Sequence, residues 1–169
     1  MALVFQYGSN VNGERLNACE RLRGRAIDKG AAETVEPYRL AFDVWSTSNK
    51  CAAADLVRSG EHHAWGVLFD VPDELLTRAT SGPARSFDEI EAEGKNYRRS
   101  WLPVRDREGH LLIALTYVVI QPQVNIRTTL SYVRHILKGL QDHDVPPDYI
   151  SRVKALAVEN NPDLTGQLE

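Results

Sequence analysis

Leu3-Val4-Phe5-Gln6-Tyr7-Gly8-Ser9-Asn10 sets an apolar run against a polar turn almost at the start of the chain. The alternation predicts a first strand over residues 2–7 that stops at Gly8. Asn10 and Asn12 are N-cap candidates, and Leu16, Cys19 and Leu22 recur at roughly helical spacing, so a helix is expected next. Glycine lets a ligand approach the main chain closely, and a helix start carries N–H groups without intrahelical partners. A strand running through such a turn into a helix forms a cradle for a carboxylate or a developing oxyanion.

Beyond this junction the chain is rich in strands. Residues 31–46 read as a strand or hairpin arm with Tyr38, Leu40, Phe42 and Val44 on one face, and Cys51 to Leu56 as a small-residue packed strand. Ala64-Trp65-Gly66-Val67-Leu68-Phe69-Asp70-Val71 is a buried strand that ends at Pro72, where a short helix starts. Ser86 to Glu93 reads as a second short helix capped by Ser86 or Asp88. Tyr97 to Val104 and Leu111 to Ile120 are strands joined by a charged turn. Leu130, Val133, Leu137 and Leu140 mark an amphipathic helix, and Tyr149, Ile150, Val153 and Leu156 mark another after Pro146-Pro147. Strands in mid-chain with the long helices late favour an α+β fold with a barrel-like or strongly curved sheet over a doubly wound one.

The 169 residues suit one domain over 1–160, with 161–169 expected as a loose C-terminal tail. A net charge of −3 gives no nucleic-acid footprint, and no apolar run approaches the length of a membrane span. The start lacks a basic n-region and a cleavage site, and Cys19 and Cys51 make no disulfide framework; a cytoplasmic protein is expected.

The second informative segment is Phe87-Asp88-Glu89-Ile90-Glu91-Ala92-Glu93-Gly94-Lys95-Asn96-Tyr97-Arg98-Arg99. Phe87, Ile90 and Glu91 share a helical face by their i, i+3, i+4 spacing. A carboxylate on an apolar face loses solvation, which raises its proton affinity and suits it to general acid/base work. Asp88 and Glu89 are expected as cap and solvent-facing groups.

Together these segments resemble the gamma-glutamylcyclotransferase-like (AIG2-like) family. Tyr7-Gly8-Ser9-Asn10 is similar to its Tyr-Gly-Ser-Asn signature, and Phe87 to Glu91 with Tyr97-Arg98-Arg99 to its Leu-Asp-x-x-Glu-Gly…Tyr-x-Arg segment. Trp65-Gly66-Val67-Leu68 resembles its central strand. Tyr132, Gly139 and Val145-Pro146-Pro147-Asp148-Tyr149 resemble its C-terminal pattern. The resemblance implies a small mixed β-barrel with flanking helices. It implies release of 5-oxoproline from a γ-glutamyl substrate by intramolecular aminolysis, a lyase or acyltransferase chemistry without metal or cofactor. Glu91 would be the general acid/base. Gln6, Tyr7, Gly8, Ser9 and Asn10 would cradle the substrate, Tyr132 would line the site, and Tyr97 would help shape it. The partner would be a small-molecule γ-glutamyl substrate, with no nucleic acid and no membrane, the protein acting as a monomer or homodimer.

Ala92 stands where the family has glycine, which leaves Glu93 before Gly94 as a competing frame for the acid/base; spacing and apolar phase favour Glu91. Gln6 replaces a small residue. Leaving-group contacts are expected from loops 46–51, 76–85 and 121–130. Two other functions fit the same fold: a binding module for a small acidic metabolite, and an enzyme that removes a γ-glutamyl cap from a biosynthetic intermediate. His62-His63 read as surface turn residues, Cys19 as a residue of an apolar helix face, Arg21, Arg23 and Arg25 as a solvated cluster, and Trp45, Trp65 and Trp101 as core or rim packing.

Overall fold

The computed structural model describes residues 1–77 and 85–168. Its strands are β1 (Ala2–Gln6), β2 (Ile27–Thr34), β3 (Tyr38–Ser46), β4 (Cys51–Arg58), β5 (Trp65–Val71), β6 (Tyr97–Asp106) and β7 (Leu111–Val119). Its α-helices are α1 (Gly13–Leu16), α2 (Phe87–Glu91), α3 (Leu130–Asp142) and α4 (Pro147–Asn160).

Five strands close a barrel in the order β1-β5-β2-β6-β7. All neighbours are antiparallel except the closing pair, where β1 meets β7 in parallel at Val4 and Leu115. Closure leaves this sheet without free edges. β3 and β4 form a separate antiparallel pair with a register shift between Phe42 and Val44. The expected α+β barrel with flanking helices is the observed fold. Val4, Phe5, Phe69 and Val71 are wholly buried, each worth roughly 1.5–3 kcal/mol of burial.

Several local readings are corrected. The stretch 31–46 is not one strand. It breaks at Pro37 into β2 in the barrel and β3 in the second sheet, since proline fixes φ and offers no N–H to a ladder. The helix expected to run through Leu22 stops at Leu16. Asn17 turns its side chain to the backbone of Ala26, donating from Nδ2 and accepting at Oδ1, both at 2.9 Å. Arg23 and Gly24 then take positive φ. Leu16 and Leu22 stay buried, but Cys19 is exposed rather than on an apolar helix face. Trp101, expected as packing, is 66% exposed on the barrel surface. The 161–168 stretch, expected as loose, forms a short 3-10 turn at Pro162–Leu164 and buries Leu164 and Leu168.

Where α3 crosses the segment after β1, Gly139 meets the backbone. A Cβ on Gly139 would lie 2.5 Å from the Asn12 nitrogen and from the Val11 carbonyl carbon. Glycine is therefore required for this approach, which holds the 8–12 loop against a long helix. No helix among the described residues is long and apolar enough to cross a membrane.

Candidate active site

The β1 ladder ends at Gln6 opposite Val67. The chain then makes a 3-10 turn at Ser9–Val11 instead of entering an α-helix directly. Val11 N–H reaches Gly8 O and Asn12 N–H reaches Ser9 O, so the amides before them lie at the open start of the turn. Asn12 caps α1 by accepting from Arg15 N–H. Asn10 does not cap; its side chain is buried and bridges two other residues. Gly8 has ordinary extended torsions. A Cβ there would be tight rather than excluded, 3.2 Å from the Ala54 Cβ and 3.4 Å from the Tyr132 hydroxyl.

α2 is fixed at its start by a capping box. The Ser86 hydroxyl accepts from Glu89 N–H, and the Glu89 carboxylate accepts from Ser86 N–H. Phe87 is wholly buried and stacks on Tyr117 at 5.5 Å between ring centroids. Asp88 is not a solvent-facing group. It accepts from Arg99 Nε at 2.8 Å and Nη2 at 2.7 Å, and from the Tyr117 hydroxyl at 2.9 Å, a forked ion pair that ties α2 to β6 and β7. The helix ends at Glu91, and Ala92 caps it in the left-handed region at φ 50, ψ 50. This conformation is easy for glycine and strained for alanine.

Glu91 is thereby aimed at the 8–10 loop. Asn10 Nδ2 donates to Glu91 Oε1 at 2.7 Å, and Arg21 Nη1 donates to Asn10 Oδ1 at 2.6 Å. Burial raises the Glu91 carboxyl to a pKa of about 6, against the downward pull of the Asn10 hydrogen bond and the nearby Arg21 and Arg15 charges. Glu93 is exposed and lines neither cavity described below.

Three tyrosines complete the wall. Tyr7 donates to the backbone oxygen of Tyr117, and Tyr97 donates to that of Ala54 at 2.7 Å. Tyr132 differs: its hydroxyl accepts from Ala54 N–H at 3.0 Å, which leaves its own O–H free of that bond, with Ser9 beside it. Burial pushes all three phenols upward from their ordinary value, so they remain protonated donors.

Gln6, Tyr7, Gly8, Ser9, Asn10, Glu91, Tyr97 and Tyr132, all named from the sequence, line one inner cavity of about 30 Å³. Ala54 and Tyr117 line it too. Neither was named from the sequence. Ala54 contributes through its peptide group, which no side-chain pattern reveals, and Tyr117 reads as one more aromatic in an apolar strand. Arg21 was also missed, since a short Arg-rich run looks solvated; it is partly buried, whereas Arg23 and Arg25 are exposed. An outer chamber of about 310 Å³ shares Ser9, Asn10, Glu91, Tyr97 and Tyr132 with the inner one. Ser46–Asn49 and Arg85 from the expected leaving-group loops border it, no residue of 121–130 does, and 78–84 lie outside the described residues.

Among the described residues one trio with metal-ligand atoms close together, Asp106, Glu108 and His110, lies at the β6–β7 turn, remote in sequence from both cavities' lining. His110 already bonds Asp106 there.

The sequence matches the family described as gamma-glutamyl cyclotransferase, AIG2-like, over residues 4–134. No curated protein matches it. A solved gamma-glutamyl cyclotransferase superposes with a TM-score of 0.78 at 21% identity, covering 91% of this chain and 86% of that one. An uncharacterized protein from Homo sapiens gives 0.77 at 23% identity, with 91% and 86% covered. YkqA from Bacillus subtilis gives 0.74 at 21% identity; 92% of this chain is covered but only 54% of YkqA. At such identities the structural likeness is one of fold.

Proposed function

Because this chain belongs to the gamma-glutamyl cyclotransferase, AIG2-like family, we propose that it releases 5-oxoproline and a free amine or amino acid from a γ-glutamyl substrate, with Glu91 as the general acid/base. The observation that carries this reading is the meeting of Glu91 with the 6–10 loop at one small cavity.

The substrate supplies its own nucleophile. Its α-ammonium loses a proton to the Glu91 carboxylate, and the amine attacks the γ-carbonyl. A new C–N bond closes the five-membered ring, and the carbonyl oxygen takes the negative charge. Amides at the open start of the 3-10 turn would stabilise that oxyanion. The original C–N bond then breaks as Glu91 returns its proton to the leaving nitrogen, and the ring nitrogen gives its second proton to the departing amine, which leaves as an ammonium ion. A carboxyl with a pKa of about 6 suits both halves, since it is mostly ionised at neutral pH yet basic enough to carry the proton. Holding the folded-back conformer supplies the proximity contribution. Tyr132 has an O–H not consumed by Ala54 and is the natural donor to the glutamyl carboxylate.

The test is to incubate the protein with γ-glutamyl dipeptides and γ-glutamylamines and to assay 5-oxoproline. Turnover is expected with at least one class. Glu91→Gln keeps the shape but cannot take the proton, so a loss of about 10²-fold or more is expected. Full activity in that variant, or no product from any γ-glutamyl compound, discards the reading.

A further inference from the structure

Three cations converge on the outer chamber from three segments. Arg21 follows α1, Arg85 precedes α2, and Lys95 follows α2; all three line it. Among the described residues none has a carboxylate within ion-pair distance, although ion pairs occur elsewhere on the surface. Two carboxylates that border the chamber are engaged locally, Glu89 by Ser86 and Glu91 by Asn10. Arg15 donates to Asn49 Oδ1 at 2.7 Å, and its buried Nε has no partner among the described residues. Gathering guanidinium groups is unfavourable without an anion. Burial and the charges of Arg15 and Arg85 lower the Arg21 pKa to about 10.

A γ-glutamyl end carries an α-ammonium and an α-carboxylate whose charges cancel, so the net charge of the substrate comes from its leaving group. One carboxylate is satisfied by one guanidinium fork. Cations entering from three segments exceed what a single leaving-group carboxylate uses.

We propose that the outer chamber is a subsite for a leaving amine that bears two anionic groups, an acidic amino acid being the simplest, held by Arg21, Arg85 and Lys95. The inference rests on the γ-glutamyl reading for the identity of the other half of the substrate. Arg21 also holds Asn10, so it joins this subsite to the acid/base; Arg85 and Lys95 touch neither Glu91 nor Asn10 by hydrogen bond, and Arg85 also donates from Nη2 to the Glu89 backbone oxygen at 2.8 Å.

The experiment is calorimetric titration of the Glu91→Gln protein with γ-glutamyl-glutamate and, separately, with γ-glutamyl-glutamine, which has nearly the same shape but one charge fewer. Binding of the acidic ligand about tenfold tighter at low ionic strength is expected, with the advantage shrinking as salt is added. Arg85→Gln and Lys95→Gln, both at exposed positions, should each reduce that advantage severalfold while the circular dichroism spectrum stays unchanged. Equal affinities, tighter binding of the neutral ligand, or an advantage untouched by both substitutions overturns the proposal. If Glu91→Gln does not fold, the same comparison is made with glutamate against glutamine as inhibitors of 5-oxoproline release by the unsubstituted protein, with the same outcomes deciding. Release of 5-oxoproline from γ-glutamyl-glutamine without any preference for the acidic ligand would discard the subsite and leave the cyclotransferase reading standing.

Discussion

Asn10 donates through Nδ2 to Glu91 Oε1 across 81 residues of sequence. The amide can face only one way, because its oxygen is taken by Arg21 Nη1 and a guanidinium has donors but no acceptor. Arg21 therefore acts through Asn10 as a positioning residue. It turns the NH₂ group toward Glu91, and a donor there favours the ionised carboxylate that the proposed reaction begins with.

The first consequence is a pH profile. With 5-oxoproline release as the readout, kcat/KM should rise from acid pH through a limb near about 6, the pKa to which burial lifts Glu91. A limb near the ordinary glutamate value of about 4.3 would mean that Glu91 is solvated or is not the base.

Arg21→Met removes both the charge that helps keep Glu91 ionised and the group that orients Asn10. The acid limb should move upward from its position in the unsubstituted protein. Arg21→Lys keeps a cation and should move it less. A merely structural role would lower activity at all pH values without displacing the limb, so a pH series on the two variants separates these outcomes.

Stability gives an independent check on Glu91. Its folded pKa lies above that of the unfolded chain, so the folded state holds the proton more tightly. The contribution of Glu91 to stability therefore falls as pH rises from about 4.5 to about 6, and stays at the lower value above that. Glu91→Gln has no charge to bury. It should match the unsubstituted protein below pH 4.5 and exceed it by roughly 1–2 kcal/mol at pH 7. Urea denaturation at a series of pH values measures the gap. A gap that opens in the opposite direction contradicts the burial assigned to this carboxyl.

Ala92 occupies φ 50, ψ 50 at the end of α2. Left-handed torsions cost an L-residue roughly 1–2 kcal/mol, and glycine avoids most of that while giving back some chain entropy. Ala92→Gly should stabilise the fold by about 1 kcal/mol, seen as a raised denaturation midpoint. A lowered midpoint would show that the Ala92 methyl supplies contacts worth more than the strain.

The glycine that the sequence resemblance places after its glutamate, and the Ala92 that stands there in this chain, both fit one backbone conformation. The different placement of Glu91 and Glu93 has a similar origin. A left-handed cap turns the chain immediately after Glu91, which sends Glu93 to the surface and leaves Glu91 facing the loop. The apolar phase of Phe87, Ile90 and Glu91 already pointed that way, because a residue sharing a face with a buried phenylalanine is carried inward with it.

Other features were legible only in part. The caps at Ser86 and Asn12 follow from local chemistry, since a hydroxyl or amide there satisfies N–H groups a few residues on. The short α1 does not follow: its apolar spacing is sound, but Asn17 bonds to Ala26, nine residues away, and this contact outweighs helical propensity. Asp88 and Arg21 both look like solvated charges in sequence. Each is drawn inward by a partner on a distant element, Arg99 and Tyr117 in one case and Asn10 in the other.

What the sequence by itself determined is the local grammar: alternation for the strands, the stop at Gly8, the capping residues, and the side-chain types that could do acid/base chemistry. These depend on periods of two or about four residues and on neighbours within a turn. The tertiary structure alone decided which of those groups meet. It closed the barrel through Val4 and Leu115, let α3 rest on the 8–12 loop at Gly139, tied Tyr97 and Tyr132 to the two ends of Ala54, and brought Glu91 to Asn10. Each of these contacts joins residues far apart along the chain, through backbone groups or buried side chains whose partners are set by packing rather than by local pattern.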